Sequence, residues 1–258
     1  MEFDPMQLGR MPPYGTEHVA MLVVLVAAAA AAVIWARRSG LTPRTERILS
    51  VAGWAYLVLS LAWSTWDLLP QNFTVEQSIP MHLSDVLRII TAIALITRAP
   101  LAIAISFYWG LTLNLQSIVT PDLNYITHPS IDFASYWIFH GLALIVPLVM
   151  VFGLGYRVTW RAYAWAFGSL LVWAGVAALV NTATGSNYGY LSHAPAGPSI
   201  LDIMGGWPTY LLVEAVAILA VWALMTLPWA ILQRRSPAPA VGRMRVMRLA
   251  DSRRPEVV

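Results

Sequence analysis

Long apolar stretches separated by short polar segments run along most of the 258-residue chain. Seven of them come close to the roughly 17–25 residues that a membrane-spanning helix needs. The seven stretches cover residues 18–36, 48–69, 81–97, 100–119, 133–154, 160–181 and 208–232. The pattern therefore predicts an all-α, polytopic membrane protein built as a bundle of seven transmembrane helices.

Arginine residues are concentrated in alternate loops and determine the predicted orientation. Apart from Arg10 and Arg88, they lie between the first and second, third and fourth, and fifth and sixth stretches, and after the seventh. Because arginine-rich loops stay in the cytoplasm, we expect the N-terminus outside and the C-terminus in the cytoplasm. This divides the chain into an extracytoplasmic segment 1–17, a membrane domain 18–232 with a long outer loop 182–207, and an Arg- and Pro-rich cytoplasmic tail 233–258 predicted to be disordered.

The composition is typical of a membrane protein and excludes every function that needs cysteine. Hydrophobic residues make up 58% of the chain and charged residues 11%, whereas soluble domains carry about 25% charged residues. Cysteine is absent, which excludes disulfides, thiolate nucleophiles and cysteine-ligated metals. The basic side chains are all arginine, a usage typical of a GC-rich genome, and we expect a multi-pass protein of the bacterial plasma (inner) membrane.

Ionisable and amide side chains inside the apolar stretches are informative, because an ionisable group in hydrocarbon costs at least ~2.5–3.5 kcal/mol. The third stretch opens with His82, Ser84, Asp85 and Arg88, which share roughly 160° of the helix circumference. Others gather toward the same predicted outer end: Asp67, Asn114, Gln116, His140, Asn181 and Glu214. We interpret this convergence as one outward-facing polar cavity.

Structural explanations compete with this interpretation. Asp85 and Arg88, spaced at i and i+3, can simply neutralise one another. Ser84 can bond a backbone carbonyl of its own helix, and a lone histidine such as His140 is commonly a satisfied polar spacer. The outer loop 182–207, which is too polar and too rich in glycine and proline to span, favours a functional role, because long loops are commonly lids or binding elements.

Short motifs follow one another in a recognisable order. They are H-L-S-D at 82–85, Y-W-G-L at 108–111, L-Q at 115–116, T-P-D-L at 120–123, Y-W-I-F-H-G at 136–141, Asn181, G-S-N-Y-G-Y-L at 185–191, P-A-G-P-S-I-L-D at 195–202 and W-P-T-Y at 207–210. Over about residues 50–230 the chain thus resembles the YwaF-type bacterial membrane proteins, the family that includes human transmembrane protein 164.

The resemblance implies a polytopic membrane fold and acyl transfer between lipids, the activity proposed for the human relative. It also implies a nucleophile at position 84, where the family pattern has cysteine and this chain has Ser84, and a base at His140. Because a hydroxyl is far less acidic than a thiol, Ser84 needs a well-placed base to react.

The first functional hypothesis is a membrane-embedded acyltransferase or lipid hydrolase. Ser84 attacks an acyl carbonyl, His140 takes the proton, and Asp85 orients a histidine such as His82. The oxyanion donor is Asn187, Gln116 or Arg88. The remaining predicted substrate-binding residues are Asn181, Tyr188, Asp202 and Glu214. We expect no cofactor and no nucleic acid, and membrane lipids, a lipid-linked substrate or an acyl donor as partners.

Two other hypotheses stay open. The first is a zinc-dependent membrane hydrolase with ligands among His82, Asp85, His140 and His193, although no ligand pair has the usual spacing. The second is a non-enzymatic transporter, or a lipid-binding or assembly protein of the cell envelope. Polar residues near one face of the membrane only are untypical of transporters, which commonly carry interrupted helices on both sides of the midplane.

Overall fold

The computed structural model describes residues 11–76, 78–121, 123, 128–194 and 200–235, without the side chains of residues 200, 202 and 233–235. Most of the predicted N-terminal segment and cytoplasmic tail lie outside the described residues. In the described part the regular structure is entirely helical. The predicted all-α class is therefore confirmed.

The described residues form eight α-helices. They are α1 (Thr16–Ser39), α2 (Pro43–Asp67), α3 (Leu83–Thr97), α4 (Pro100–Leu111), α5 (Leu113–Val119), α6 (Pro129–Leu148), α7 (Trp160–Thr184) and α8 (Thr209–Arg235). A π-helical turn at Val149–Gly153 extends α6, and 3₁₀ turns at Tyr188–Tyr190 and Ile200–Met204 lie between α7 and α8.

Six helical segments of the described chain are long and apolar enough to cross a membrane. They are Thr16–Ser39, Pro43–Asp67, Pro100–Val119, Pro129–Gly153, Trp160–Thr184 and Thr209–Leu232. The chain is therefore a multi-pass membrane protein. α3 has 15 residues and rises only about 22 Å at 1.5 Å per residue, less than the ~30 Å hydrocarbon layer. The predicted number of seven spans is thus not confirmed.

Helix boundaries follow from local sequence signals. The Thr42 hydroxyl accepts a hydrogen bond from the Thr45 amide at the start of α2, and Pro43 occupies the first turn, where its missing N–H costs nothing. Thr159 caps α7 in the same way, and Gly185 ends that helix in the left-handed conformation. These are the start and stop signals that polar caps and glycine ordinarily provide.

The fourth apolar stretch, predicted as one span, is broken at Thr112 into α4 and α5. The Thr112 hydroxyl donates to the carbonyl of Tyr108 at 2.5 Å and accepts from Trp222 Nε1 at 2.9 Å. Two residues further on, the Asn114 amide donates to the carbonyl of Gly110 at 3.5 Å. Side chains therefore supply hydrogen bonds that a broken helix would otherwise leave unmade.

α4 lies at the centre of the bundle and packs against α3, α6 and α7. Gly110 makes the contact with α6 close, because a Cβ at this position would lie 2.3 Å from the carbonyl oxygen of Ala143. Gly53 has the same role between α2 and α3, where a Cβ would lie under 3 Å from Leu95 and Ile96. These contacts fix the positions of α3 and α6, the two helices that carry most of the predicted site residues.

Candidate active site

The first turns of α3 contain an ion pair. Asp85 Oδ1 lies 3.0 Å from Arg88 Nη1, and Asp85 Oδ2 accepts a hydrogen bond from the backbone amide of His82 at 3.1 Å. Both carboxylate oxygens are therefore occupied, and neither binds a histidine ring. The expectation that Asp85 orients a histidine is not met in this arrangement, whereas its pairing with Arg88 is present.

Arg88 connects three helices while being only 5% exposed. Its Nη2 donates to Ser64 Oγ of α2 at 2.7 Å, and its guanidinium carbon lies 5.0 Å from the ring centroid of Phe139 of α6. Cations are attracted to an aromatic face at this distance. Ser64 was not among the predicted site residues, because a serine in an apolar helix has no pattern that reveals its partner.

His140 is held by an amide on the neighbouring helix. Its Nδ1 lies 2.7 Å from Asn114 Oδ1, and Asn114 Nδ2 donates to the carbonyl of His140 at 3.0 Å. Because the amide nitrogen is used on carbonyls, the amide oxygen faces the ring and accepts from Nδ1–H. Nε2 then carries the lone pair, and within the described chain it has no hydrogen-bond partner.

His140 lies deeper than the sequence suggested. α6 begins at Pro129 rather than near residue 133, so the histidine is about 16 Å along the helix at 1.5 Å per residue, rather than the ~10 Å that a start at residue 133 would give. The ring of Tyr136 packs over it with centroids 4.4 Å apart. The sequence marked Asn114 as polar but not as the partner of this histidine, because the two are 26 residues apart on different helices.

Ser84 lies half-buried in the first turn of α3. Its hydroxyl has no hydrogen-bond partner among the described residues, so the intrahelical bond considered as a structural alternative is not formed. It also makes no hydrogen bond with His140. α3 and α6 are nevertheless in direct contact, which places the two candidate residues on adjoining helices.

The segment after α7 covers the start of α3. The ring of Tyr188 meets that of His82 edge-on with centroids 4.8 Å apart, and the Tyr188 hydroxyl donates to the carbonyl of Val75. His82 Nε2 is hydrogen-bonded to the carbonyl of Glu76 at 3.1 Å. Burial raises the pKa of Tyr188, so its hydroxyl stays protonated and can donate at neutral pH.

Two predicted substrate-binding amides, Asn181 and Asn187, make hydrogen bonds within this segment. Asn181 donates to the carbonyl of Tyr188 at 3.0 Å, and its side-chain oxygen accepts from the Tyr188 amide at 2.8 Å. Asn187 donates to the carbonyl of His193 at 2.8 Å and accepts from the amides of Ser192 and His193. The amides therefore hold the loop in shape.

The remaining predicted residues are not brought to the α3 cluster by any described contact. Gln116 is exposed, and its side chain makes no hydrogen bond among the described residues. Glu214 is half-buried in α8, where its charge acts on Tyr210 one turn away. Asp202 belongs to the turn Ile200–Met204, and its side chain lies outside the described atoms.

A metal site is not supported by the described part of the chain. No group of three or more histidine, aspartate or glutamate side chains comes together there in a way that could hold a metal ion. His193 is engaged with Asn187, and His140 with Asn114. The described residues therefore do not favour the zinc hypothesis.

What the site offers chemically is an oriented imidazole, an uncommitted serine hydroxyl and a buried guanidinium on neighbouring helices. A model of the TMEM164 family matches residues 13–226, which includes all of these groups and the helices that carry them. No curated protein and no solved structure matches the chain. Since the match extends from before α1 into α8, the resemblance read from the motifs is confirmed, and the chain belongs to the TMEM164 family.

Proposed function

We propose that this protein is a membrane-embedded acyltransferase that moves an acyl chain between lipids, with Ser84 as nucleophile and His140 as general base. We place it in the bacterial plasma membrane with the amino-terminal end of α3 facing outside, because arginine-rich loops stay in the cytoplasm. The observation that carries the proposal is the hydrogen bond from His140 to Asn114 Oδ1, which leaves Nε2 free to take a proton.

An imidazole oriented by a third group is the recurring arrangement of nucleophilic catalysis. In papain-like proteases an asparagine has this role beside a Cys–His pair. Here Asn114 cannot easily turn over, because its amide nitrogen is held by two carbonyls, those of Gly110 and His140. A histidine that only filled space would not need one tautomer, whereas a general base does.

The reaction proceeds in two balanced steps. Ser84 Oγ attacks the carbonyl carbon of the donor's acyl ester while His140 Nε2 takes the hydroxyl proton. The tetrahedral intermediate collapses, the bond to the donor's alcohol oxygen breaks, and His140 returns the proton to that oxygen. A hydroxyl of the acceptor lipid then attacks acyl-Ser84 in the same manner, which restores Ser84. If water attacks instead, the net reaction is hydrolysis.

Contact between Ser84 and His140 forms when substrate is bound. Catalytic hydrogen bonds are commonly long or unformed without substrate and tighten in the complex. α3 and α6 already adjoin, and no other hydrogen bond holds the Ser84 hydroxyl within the described chain. A serine without a competing partner keeps its hydroxyl available to the base.

The alternative is a non-enzymatic lipid-binding protein of the cell envelope. The observation that favours it is the missing hydrogen bond between Ser84 and His140. In that case the polar groups at the start of α3 bind a lipid without reacting with it, and serine in place of the family cysteine has no consequence. This alternative and the acyltransferase differ in one property, the reactivity of the Ser84 hydroxyl.

A fluorophosphonate lipid probe measures that reactivity directly. With the purified protein in lipid nanodiscs, we expect labelling that maps to the peptide containing Ser84, is lost in Ser84→Ala and falls strongly in His140→Ala. Ser169→Ala is the matched control, because Ser169 is also a half-buried helical serine but lies in α7. Labelling that persists in Ser84→Ala removes Ser84 from the role of nucleophile.

A further inference from the structure

Two buried polar atoms in the seam between α2 and α3 have no partner. In the described residues the buried side-chain nitrogen and oxygen atoms without a hydrogen bond are Arg88 Nε, Ser60 Oγ and Trp137 Nε1. Arg88 is 5% exposed and Ser60 0%. Native proteins leave few such atoms unpaired, and each one calls for an explanation. Arg88 and Ser60 lie on the two facing helices of one seam.

The helix register places Ser60 level with Arg88. α2 and α3 run antiparallel, since Gly53 backs onto Leu95 and Ile96 while the later part of α2 meets the earlier part of α3. Seven residues forward from Gly53 is Ser60, and seven residues back from Leu95 is Arg88. Seven residues is close to two helical turns, so both side chains return to the faces that form the Gly53 contact.

The guanidinium of Arg88 extends toward the level of Ser84, nearer the start of α3. Its Nη2 binds Ser64, one turn further along α2 than Ser60, and the same register places Ser64 level with Ser84. Ser84 precedes Arg88 by four residues, a spacing that puts the two Cβ atoms about 5–6 Å apart on one helix face. The unpaired Nε therefore lies on the face of α3 that carries the candidate nucleophile.

The donors left free in this seam fit a single ligand oxygen that becomes negatively charged during a reaction. Asp85 already neutralises Arg88 at 3.0 Å, and the Nη2 group is used on Ser64. A phosphate favours paired donors and would compete with Asp85 for the guanidinium. One N–H and one hydroxyl at the same level of the seam match one carbonyl oxygen, and fixed donors stabilise it most when it becomes an oxyanion.

We propose that Arg88 Nε and Ser60 Oγ form the oxyanion site of this protein and act on the carbonyl oxygen of a lipid acyl ester once that oxygen begins to gain charge. The inference rests on the proposed acyl transfer at Ser84. When Ser84 Oγ bonds to the carbonyl carbon, the negative charge that develops on the oxygen is met by both donors. The oxygen loses this charge when the carbonyl re-forms and the alcohol leaves.

Asp85, Ser64 and Phe139 are positioning residues for Arg88. The first two hold the terminal nitrogens, and the ring of Phe139 supports the guanidinium plane at 5.0 Å. Of the three oxyanion donors considered from the sequence, Arg88 is therefore the one that the described contacts favour. Asn187 is committed to its loop, and Gln116 is exposed.

The test separates reaction from binding with the fluorophosphonate lipid probe on the full chain in nanodiscs. Arg88→Lys keeps the charge but lacks an N–H at the Nε position, and Ser60→Ala removes the hydroxyl. We expect the maximal inactivation rate, kinact, to fall by about 100-fold in Arg88→Lys and about tenfold in Ser60→Ala. The probe's half-saturating concentration should stay within about twofold, because the donors act after binding.

Three outcomes are distinguishable. Loss of kinact with unchanged half-saturation and an unchanged unfolding temperature in Ser60→Ala supports the oxyanion site. An unchanged kinact in both variants, with labelling still abolished by Ser84→Ala, overturns the oxyanion site and leaves the proposed function standing. Labelling that survives Ser84→Ala overturns both. If Arg88→Lys fails to fold, Ser60→Ala decides alone, since it removes one hydroxyl without touching the ion pair.

Discussion

At the scale of single residues, the site depends on partners that fix side chains in one state. His140 is held in one tautomer by Asn114, and Arg88 is held by Asp85 and Ser64. From the sequence one could predict the residue types of the site and that they lie toward the same end of the bundle. The sequence also anticipated the pair of Asp85 and Arg88 within α3. It could not supply the pairings of Arg88 with Ser64 and of His140 with Asn114, because these residues lie on different helices, 24 and 26 positions apart along the chain.

Asn114→Ala tests the orientation of the base. Without the amide oxygen the imidazole can rotate and change tautomer, so we expect the labelling rate of Ser84 to fall by between about 10-fold and 10²-fold, a part of what a general base contributes. Rates of probe labelling in nanodiscs measure this. Asn187→Ala is the control, because that amide orders only the loop, and it should leave the rate within about twofold. Equal loss in both variants would argue against orientation.

At the scale of helices, most of the fold could be predicted from hydrophobic length and caps, and two features could not. The break at Thr112 has no proline or glycine at that position to announce it, and its stability comes from a hydrogen bond with Trp222 on a distant helix. The shortness of α3 could not be seen in the sequence, because the predicted stretch 81–97 also includes two residues that precede the helix. Both features depend on packing, which local pattern does not encode.

The close contact between α4 and α6 leads to a prediction about glycine. Gly110→Ala places a Cβ 2.3 Å from the carbonyl of Ala143, which forces the helices apart, and overpacking of this kind costs roughly 1–3 kcal/mol. Gly168→Ala is the matched change, because a Cβ at this helical position meets no atom within 4 Å. Unfolding followed in detergent should show a loss of stability only for Gly110→Ala. Comparable stability of the two variants would contradict the described contact.

At the scale of the whole molecule, the question is whether the short helix α3 crosses the membrane. Arg98 at its end donates to the carbonyl of Glu46 and to Ser50 Oγ at the beginning of α2. The end of α3 therefore lies at the same face of the bundle as the beginning of a full-length span. We infer that α3 crosses from the other side together with the segment before it, so that the chain makes seven crossings.

The absence of cysteine makes this topology directly measurable, since single cysteines can be introduced without background. With a membrane-impermeant maleimide on intact cells, we expect labelling at Asn72→Cys and Ser192→Cys. Protection should be seen at Ser39→Cys and Ala99→Cys until the cells are permeabilised. Asn72 follows the end of α2 and Ser192 lies in the covering loop, whereas Ser39 ends α1 and Ala99 follows the end of α3. Labelling of Ala99→Cys from outside would contradict seven crossings.

Acyl transfer through Ser84 is the claim on which the account depends, and peptide mass spectrometry of the acyl-enzyme tests it most directly. The protein in nanodiscs is incubated with phospholipid carrying an isotope-labelled acyl chain, quenched at low pH and digested. The account predicts the labelled acyl group as an ester on Ser84, absent from Ser84→Ala and removed when an acceptor hydroxyl is supplied. Transfer of the label between lipids without any acyl group on Ser84 would contradict it.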